Sequence, residues 1–424
     1  MGNRIWDKFI KGDFKKNALV LAGGTAVSQI INVIFYPILG RLFTPEEFGV
    51  FALLNTIVSI LSVIATLKYE DAILIAKTKK EVVNIISLCL LLSVGILTVI
   101  FVTILCFSSF LANQLGVQDV AKWLFLCPIN ALALVVFNLY NEWCVKNKYF
   151  SYLSVNKVTS ASTLSLGKLF FGMSKYFSGG GLILGDTIGR FATSIICVYR
   201  GWRLEKDFGS HFSFPMIKSS LKKYNDFPKF YLPDQLINKL GQALPIVLLG
   251  IFYTEKEVGF FSMTLAVLSL PVSVISIALK DVFRQKANQD FMEYGNCRPI
   301  FRKLFIRLFL LAFVGCLVLF FFMPSLFSLF LGEQWYMAGV YSQILLPMIA
   351  FSFVSMSLSG VLVIAKKLKQ SMYWQILYLL ITLLSLYIGY WYFKDIIFTL
   401  IIFSIGRSLA YAVYIAMSYK YAKK

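Results

Sequence analysis

Seven ionisable side chains fall where such groups are expensive. Lys157, Lys168, Arg190, Lys239 and Arg407 are basic, Asp186 and Asp234 are acidic, and each lies inside a long apolar stretch. A charge at the centre of a bilayer costs about 2.5–3.5 kcal/mol even on insertion scales, so such groups face a cavity or a partner. The excess of basic over acidic groups favours an anionic ligand. Arg190, Lys239 and Arg407 sit near the middle of their stretches, so they are candidates for holding an anion. Lys157 and Lys168 lie toward opposite ends of one stretch and share a face, eleven residues being three helical turns. They either join the same site or snorkel to the interfaces.

Two acidic positions qualify the picture. Asp186 precedes Arg190 by four residues, the usual spacing of a helix ion pair, and the two either neutralise each other or act together. Arg407 has Phe403 at the equivalent position, must find its partner elsewhere, and is the stronger ligand candidate. Asp234, Gln235, Asn238, Lys239 and Gln242 form a polar stripe at helical spacing, which is implausible facing lipid. Asp186 and Asp234 are the candidates for coupling to a cation. Asn32, Asn55, Asn130 and Asn138 suit interhelical hydrogen bonds as well as sugar contacts.

Other chemistries find little support. The seven cysteines are scattered singly with no CxxC pair, which suits small buried hydrophobes. The single histidine, His211, lies in a polar segment, so no metal centre and no cofactor are expected. No His–Asp or paired-carboxylate constellation stands out, and the expected loops on the outer side are short. A catalytic role is not indicated.

The elements that must position these charges are legible. Of 424 residues 58% are hydrophobic and only 15% charged, with a mean hydropathy of +0.74. An ordinary soluble domain carries about a quarter charged residues. Apolar stretches long enough to cross a bilayer, about 20 residues each, fall near 18–40, 47–67, 82–110, 122–143, 150–172, 179–200, 228–252, 257–279, 302–323, 338–364, 371–391 and 396–418. The stretches 150–172 and 228–252 are the most polar. The expectation is an all-α integral membrane protein of about 12 transmembrane helices. The basic start, with Arg4, Lys8, Lys11, Lys15 and Lys16, precedes a long apolar run without a small-residue cleavage pattern, which reads as a first span rather than a signal peptide.

Charge placement orients the spans. With twelve spans and a cytoplasmic N-terminus, 31 Lys and Arg fall on or beside inside segments. Only Arg41, Lys122, Lys175, Lys256 and Lys394 fall outside. A missed span would reverse every later loop and erase this bias, so both termini are expected in the cytoplasm. The net charge of +20 is then a topology signal and requires no nucleic acid.

The chain also repeats itself. Gly40-Arg41-Leu42-Phe43-Thr44-Pro45-Glu46-Glu47-Phe48-Gly49-Val50-Phe51 aligns with Gly250-Ile251-Phe252-Tyr253-Thr254-Glu255-Lys256-Glu257-Val258-Gly259-Phe260-Phe261, an offset of half the chain. Ile188-Gly189-Arg190 matches Ile405-Gly406-Arg407. Two six-helix halves, 1–200 and 228–424, joined by a cytoplasmic linker at 201–227, follow as the expected organisation. An even number of spans per half makes the repeats parallel. Such halves suit a transporter with a central cleft. Pro37 and Pro245 nearly superpose under the repeat, and with Pro233 they mark hinges or static kinks in the first and seventh spans.

At this point several motifs carry a resemblance. Tyr69-Glu70-Asp71-Ala72-Ile73, Phe227-Pro228-Lys229-Phe230-Tyr231-Leu232-Pro233, Leu244-Pro245-Ile246-Val247-Leu248-Leu249-Gly250, and Val258-Gly259-Phe260-Phe261 with Leu270-Pro271-Val272-Ser273 resemble those of bacterial polysaccharide flippases. Over nearly its whole length the chain is similar to O-antigen and capsule repeat-unit flippases. These form the polysaccharide transporter branch of the superfamily that includes multidrug and toxic-compound extrusion proteins and peptidoglycan lipid flippases. The resemblance implies a multidrug-and-toxin-extrusion-like fold in the bacterial inner membrane. It implies an undecaprenyl-pyrophosphate-linked oligosaccharide as substrate, moved from the cytoplasmic to the outer leaflet. A polysaccharide polymerase and a chain-length regulator become candidate partners besides the lipid bilayer. Outward movement of the anion is favoured by roughly 2.3 kcal/mol per charge per 100 mV. The alternatives are a cation-coupled multidrug exporter of the same fold, against which the basic excess argues, and a membrane polymerase or ligase, against which the short outer loops argue.

Overall fold

The computed structural model describes the backbone of residues 2–115, 118–174, 180–365 and 367–423. Side chains at 2–19, 108–115, 118, 119, 278, 281 and 368 are not described. Lys175, Lys366 and Lys424 of the charge count lie outside the described residues. Among the described residues there are twelve long helices and no strand beyond an isolated bridge between Asn296 and Lys423. They are α1 (Gly2–Leu42), α2 (Pro45–Thr66), α3 (Lys79–Leu115), α4 (Leu126–Lys146), α5 (Phe150–Met173), α6 (Gly181–Leu204), α7 (Leu232–Phe252), α8 (Glu255–Tyr294), α9 (Arg298–Leu331), α10 (Tyr336–Ser357), α11 (Leu368–Phe393) and α12 (Ile396–Lys420).

Ten of these are long and apolar enough to cross a membrane. The other two, α4 and α5, are long enough at 21 and 24 residues but more polar. Their polar side chains turn inward. Asn130 of α4 is buried and donates to Thr187 of α6 at 2.9 Å, and Asn156 of α5 is buried and donates to Asn141 of α4 at 2.7 Å. Several helices overrun the expected spans. α8 is 40 residues long, about 60 Å at 1.5 Å per residue, and ends only where Gly295 takes a left-handed conformation. A helix has no reason to stop at the edge of the hydrocarbon when its continuation carries water-compatible residues such as Arg284 and Lys286.

The chain divides into two compact units, Met1–Phe43 with Leu53–Leu236, and Thr44–Ala52 with Ile237–Lys424. In the first, α1 packs on α5, α5 on α6, and α4 on α3 and α6. The stretch 201–227 belongs to this unit, and part of it forms a short helix, Phe214–Lys223, packed on α3. In the second unit α10 lies among α8, α9 and α12, and α11 packs on α12. A buried cluster in it joins Phe283, Phe291, Phe301, Phe353 and Val361.

The internal repeat has a physical cause. Thr44 and Thr254 each begin a helix with a Glu three residues later. The backbone N–H of Thr44 donates to Glu47 at 2.8 Å and that of Thr254 to Glu257 at 2.9 Å. Both are capping boxes, which satisfy otherwise orphaned donors of the first turn. The paired glycines do the rest. A Cβ on Gly49 would stand 1.8 Å from the carbonyl oxygen of Glu255, and one on Gly259 would stand 1.8 Å from that of Pro45. The first turns of α2 and α8 therefore cross backbone to backbone, each glycine against the residue aligned with the other's partner. Phe48 and Phe260 both pack edge-on against the buried Trp335.

Gly49→Val and Gly259→Val are expected to destabilise the purified protein by about 1–3 kcal/mol each, because no side-chain rotation relieves a clash with backbone. Gly315→Ala, at an open helical position with nothing within 4 Å, is expected to be neutral or to stabilise by up to about 1 kcal/mol. Thermal unfolding in detergent compares the three. Equal midpoints for all would contradict the crossing.

Candidate functional site

The first unit holds a charged cluster built by close helix approach. Gly181, Gly185 and Gly189 recur every fourth residue and form a bare stripe on α6. A Cβ on Gly185 would lie 2.5 Å from the carbonyl oxygen of Gly167, and one on Gly189 would lie 2.7 Å from the Cα of Leu164. The backbone of α5 thus rests on α6, as small residues allow in membranes. That contact carries Lys168 to Asp186, Nζ to Oδ1 at 2.9 Å. Arg190 Nε donates to Asp186 Oδ2 at 2.6 Å, and Arg190 Nη2 donates to Asn55 Oδ1 of α2 at 2.7 Å.

Asp186 is only 5% exposed and takes both cations. The expected Asp186–Arg190 pair is present, but it is half of a triad that ties α2, α5 and α6 and keeps one net positive charge. Further along the same seam the hydroxyls of Thr163 on α5 and Thr193 on α6 are in contact at 2.7 Å.

Lys157 shares the face of Lys168 but serves another neighbour. Its Nζ donates to Thr25 Oγ1 of α1 at 3.0 Å, and that hydroxyl donates onward to the Leu21 carbonyl. One turn away, Gly24 of α1 admits Ser154 so closely that a Cβ would meet its Oγ at 1.9 Å. Beside this seam runs a groove of about 460 Å³ whose polar wall is Ser154, Thr159, Ser162 and Thr163. Thr159 donates back to the Val155 carbonyl and keeps oxygen lone pairs to accept from a hydroxylated ligand, while the Thr163 hydroxyl is also engaged with Thr193.

In the second unit Arg407 is enclosed, at 7% exposure. It donates from Nε to Thr382 Oγ1 at 3.0 Å, from Nη2 to the Gly241 carbonyl at 2.7 Å, and from Nη1 to the Tyr378 hydroxyl. Its guanidinium lies 4.2 Å from the centre of the Tyr378 ring and 5.0 Å from that of Phe403. The Phe at the position of Asp186 is therefore a partner after all, through its ring face. Trp374, Tyr411 and Tyr414 complete an aromatic nest around Tyr378. These contacts make Arg407 the tie between α7, α11 and α12.

The stripe on α7 is spread along the helix. Gln235 donates to Asp234 at 3.4 Å and Gln242 to Asn238 at 2.9 Å, with Asn238 and Gln242 exposed and Lys239 half-buried. Pro37 lies inside α1 and Pro245 inside α7, while Pro233 follows a single π-helical turn, Phe227–Tyr231, that opens α7. Prolines also lie inside α8, α9 and α10, so proline alone does not mark the first and seventh spans. Among the described residues no group of three or more His, Cys, Asp and Glu can hold a metal ion.

Sequence reasoning missed a second charged knot. In the Tyr69-Glu70-Asp71 motif, Lys68 bonds Glu70 at 2.9 Å and Asp71 at 3.1 Å, and the Tyr69 hydroxyl donates to the Leu221 carbonyl. Glu81 accepts from Lys223 and from the Tyr224 hydroxyl. Lys68 and Asp71 stand at helical pair spacing, a signal available from the chain. Glu81 and Lys223 are too far apart in sequence to have been joined.

The sequence pattern of the family described as "Polysaccharide biosynthesis protein" matches residues 14–283. No curated protein matches the chain. Solved structures share the fold at low identity. One described as "Lipid II flippase MurJ, inward closed conformation" superposes with a TM-score of 0.74 at 14% identity, covering 95% of this chain and 87% of that one. An inward-facing multidrug resistance MATE family transporter of the MOP superfamily gives 0.69 at 15% identity, covering 92% and 93%. The MATE multidrug transporter DinF-BH gives 0.64 at 14% identity, covering 96% and 94%.

Proposed function

Because the chain belongs to the polysaccharide biosynthesis protein family and shares its fold with transporters and flippases rather than enzymes, we propose that it moves undecaprenyl-pyrophosphate-linked oligosaccharide repeat units, of O-antigen, capsule or exopolysaccharide, across the cytoplasmic membrane. The direction in this reading is from the cytoplasmic to the outer leaflet, with both termini on the cytoplasmic side and the two six-helix halves alternating exposure. The observation that supports it is the sign of the interior charge. The triad Lys168–Asp186–Arg190 keeps a positive excess, and Arg407 is held by neutral acceptors and rings. Pyrophosphate is the fixed charge common to such substrates, and charge-assisted bonds to Lys or Arg in a low dielectric are strong.

Lys157 and Lys239, both half-buried, are the proposed direct contacts. Lys168, Arg190 and Arg407 are proposed to act by position and field. The hydroxyl-walled groove of α1 and α5 suits a polyhydroxylated ligand. Pro37, Pro233 and Pro245 are proposed hinges, and Asp186 and Asp234 proposed coupling sites. Coupling at Asp234 predicts that Asp234→Asn changes the pH or sodium dependence of transport, and unchanged dependence would remove it.

Deleting the gene in its native strain tests the reading. Surface polysaccharide is expected to disappear and lipid-linked repeat units to accumulate facing the cytoplasm, with wild type restoring both. Normal surface polymer in the deletion, with loss of resistance to cationic drugs, would favour a multidrug exporter instead.

A further inference from the structure

The first unit carries a second groove that transport as described does not use. It measures about 260 Å³ and lies among α3, α4 and α6, walled by Ile86, Leu139, Tyr140, Trp143 and Val198 and closed by Phe208. It opens beside Val198 and Trp202, which are 60% and 66% exposed on a surface apolar enough to face the bilayer.

Polar contacts fix the segment that borders it. Asn84 of α3, fully buried, donates to the His211 carbonyl at 2.9 Å and accepts from the Ser213 N–H at 2.9 Å. Glu81 holds Lys223 and Tyr224. The short helix between them buries Ile217 and Ser220 and exposes Phe214, Lys218, Leu221 and Lys222, a mixed apolar and basic face at helical spacing. Such a face sits at the membrane interface, its rings among the acyl chains and its amines at the phosphates.

One unpaired donor lies at the same place. Arg200 Nη1 is buried without a hydrogen-bond partner, close to the Tyr140 phenol, whose hydroxyl meets only the weakly bonding Cys144 thiol. Buried donors left unmade are costly, so a ligand acceptor is the natural complement. Next along the chain Arg203 and Lys206 are exposed, as are Lys218 and Lys222 on the short helix, while of the acids that follow Arg200, Glu205 is paired with Lys79 at 3.1 Å and Asp207 is exposed.

We propose that this end of the first unit binds one anionic phospholipid of the surrounding bilayer, with an acyl chain in the groove and its phosphate drawn by Arg200 and the neighbouring bases. A bilayer phospholipid suits the site better than the transported lipid, because the groove opens on the surface where phospholipids are in constant excess. Occupancy would brace α3, α4 and α6 against the short helix.

Native mass spectrometry of delipidated protein, titrated with phosphatidylglycerol or phosphatidylcholine of identical chains, tests the proposal. Wild type is expected to bind one phosphatidylglycerol about fivefold or more tightly than phosphatidylcholine. Arg200→Gln is expected to abolish that preference and Arg200→Lys to keep it. Gly201→Leu, whose Cβ would lie 3.8 Å from the Tyr140 ring, fills the groove and is expected to weaken both lipids. Equal binding of the two lipids by wild type would overturn the proposal whatever the variants do. So would unchanged binding in Arg200→Gln and Gly201→Leu, or displacement of phosphatidylglycerol by lower concentrations of undecaprenyl phosphate, which would give the groove to the substrate.

Discussion

Asp186→Asn is expected to be the most damaging single substitution in the first unit, costing about 3–5 kcal/mol of stability. The cost follows from what the carboxylate does. Removing one member of a buried ion pair leaves its partner charged and desolvated, and here two cations lose the same acceptor, Lys168 at 2.9 Å and Arg190 at 2.6 Å. An amide of the same shape keeps one acceptor oxygen but none of the charge. The double variant Asp186→Asn with Lys168→Met returns the cluster to a single cation and is expected to recover a large part of the loss. Thermal unfolding of the four proteins of this cycle measures the coupling. Additive losses would mean that the triad is no unit, and near-neutral behaviour of Asp186→Asn would mean that the carboxylate is solvated in the membrane-bound protein.

Arg407→Lys is expected to fail almost as fully as Arg407→Leu. Lys keeps the charge but cannot reproduce three differently aimed donors and a planar face stacked on Tyr378 and Phe403. Loss of the bonds to Gly241 and Thr382 strands buried acceptors and unties α7 from α11 and α12, at a cost of about 2–4 kcal/mol, as is usual for broken buried networks. Because the arginine acts here by holding helices, both variants are expected to lower the unfolding temperature as well as transport. A Lys variant of wild-type stability and activity would show that charge alone matters. Normal stability with abolished transport would make Arg407 a direct ligand contact.

Much of this was readable along the chain. Hydropathy located the helices, and charge spacing found the Asp186–Arg190 pair. The longer repeat match pointed to two places that prove to be capping boxes and a glycine crossing. Contacts between helices were not readable. Nothing in the spacing of Lys168 and Asp186 shows that Gly167 and Gly185 let their helices touch. Nothing shows that the partners of Arg407 would be a carbonyl on α7 and an aromatic nest on α11 and α12. Of the two stretches that read as most polar, 228–252 is apolar enough to span and 150–172 is not, and the polar groups of α4 and α5 answer neighbours in the interior, as Asn156 does with Asn141 and Asn130 with Thr187.

Transbilayer movement in proteoliposomes tests the central claim most directly. Vesicles containing the purified protein and a trace of fluorescent undecaprenyl-pyrophosphate-linked oligosaccharide would be quenched by a membrane-impermeant reagent. Without protein, about half of the label is expected to stay protected, because a charged, sugar-bearing headgroup does not cross the hydrocarbon. With wild type, the protected half is expected to become accessible within minutes. The Lys157→Ala Lys239→Ala double variant is expected to slow this without loss of folding. Protection unchanged by the wild-type protein, in vesicles where it exchanges a cationic drug for protons or sodium, would contradict the account.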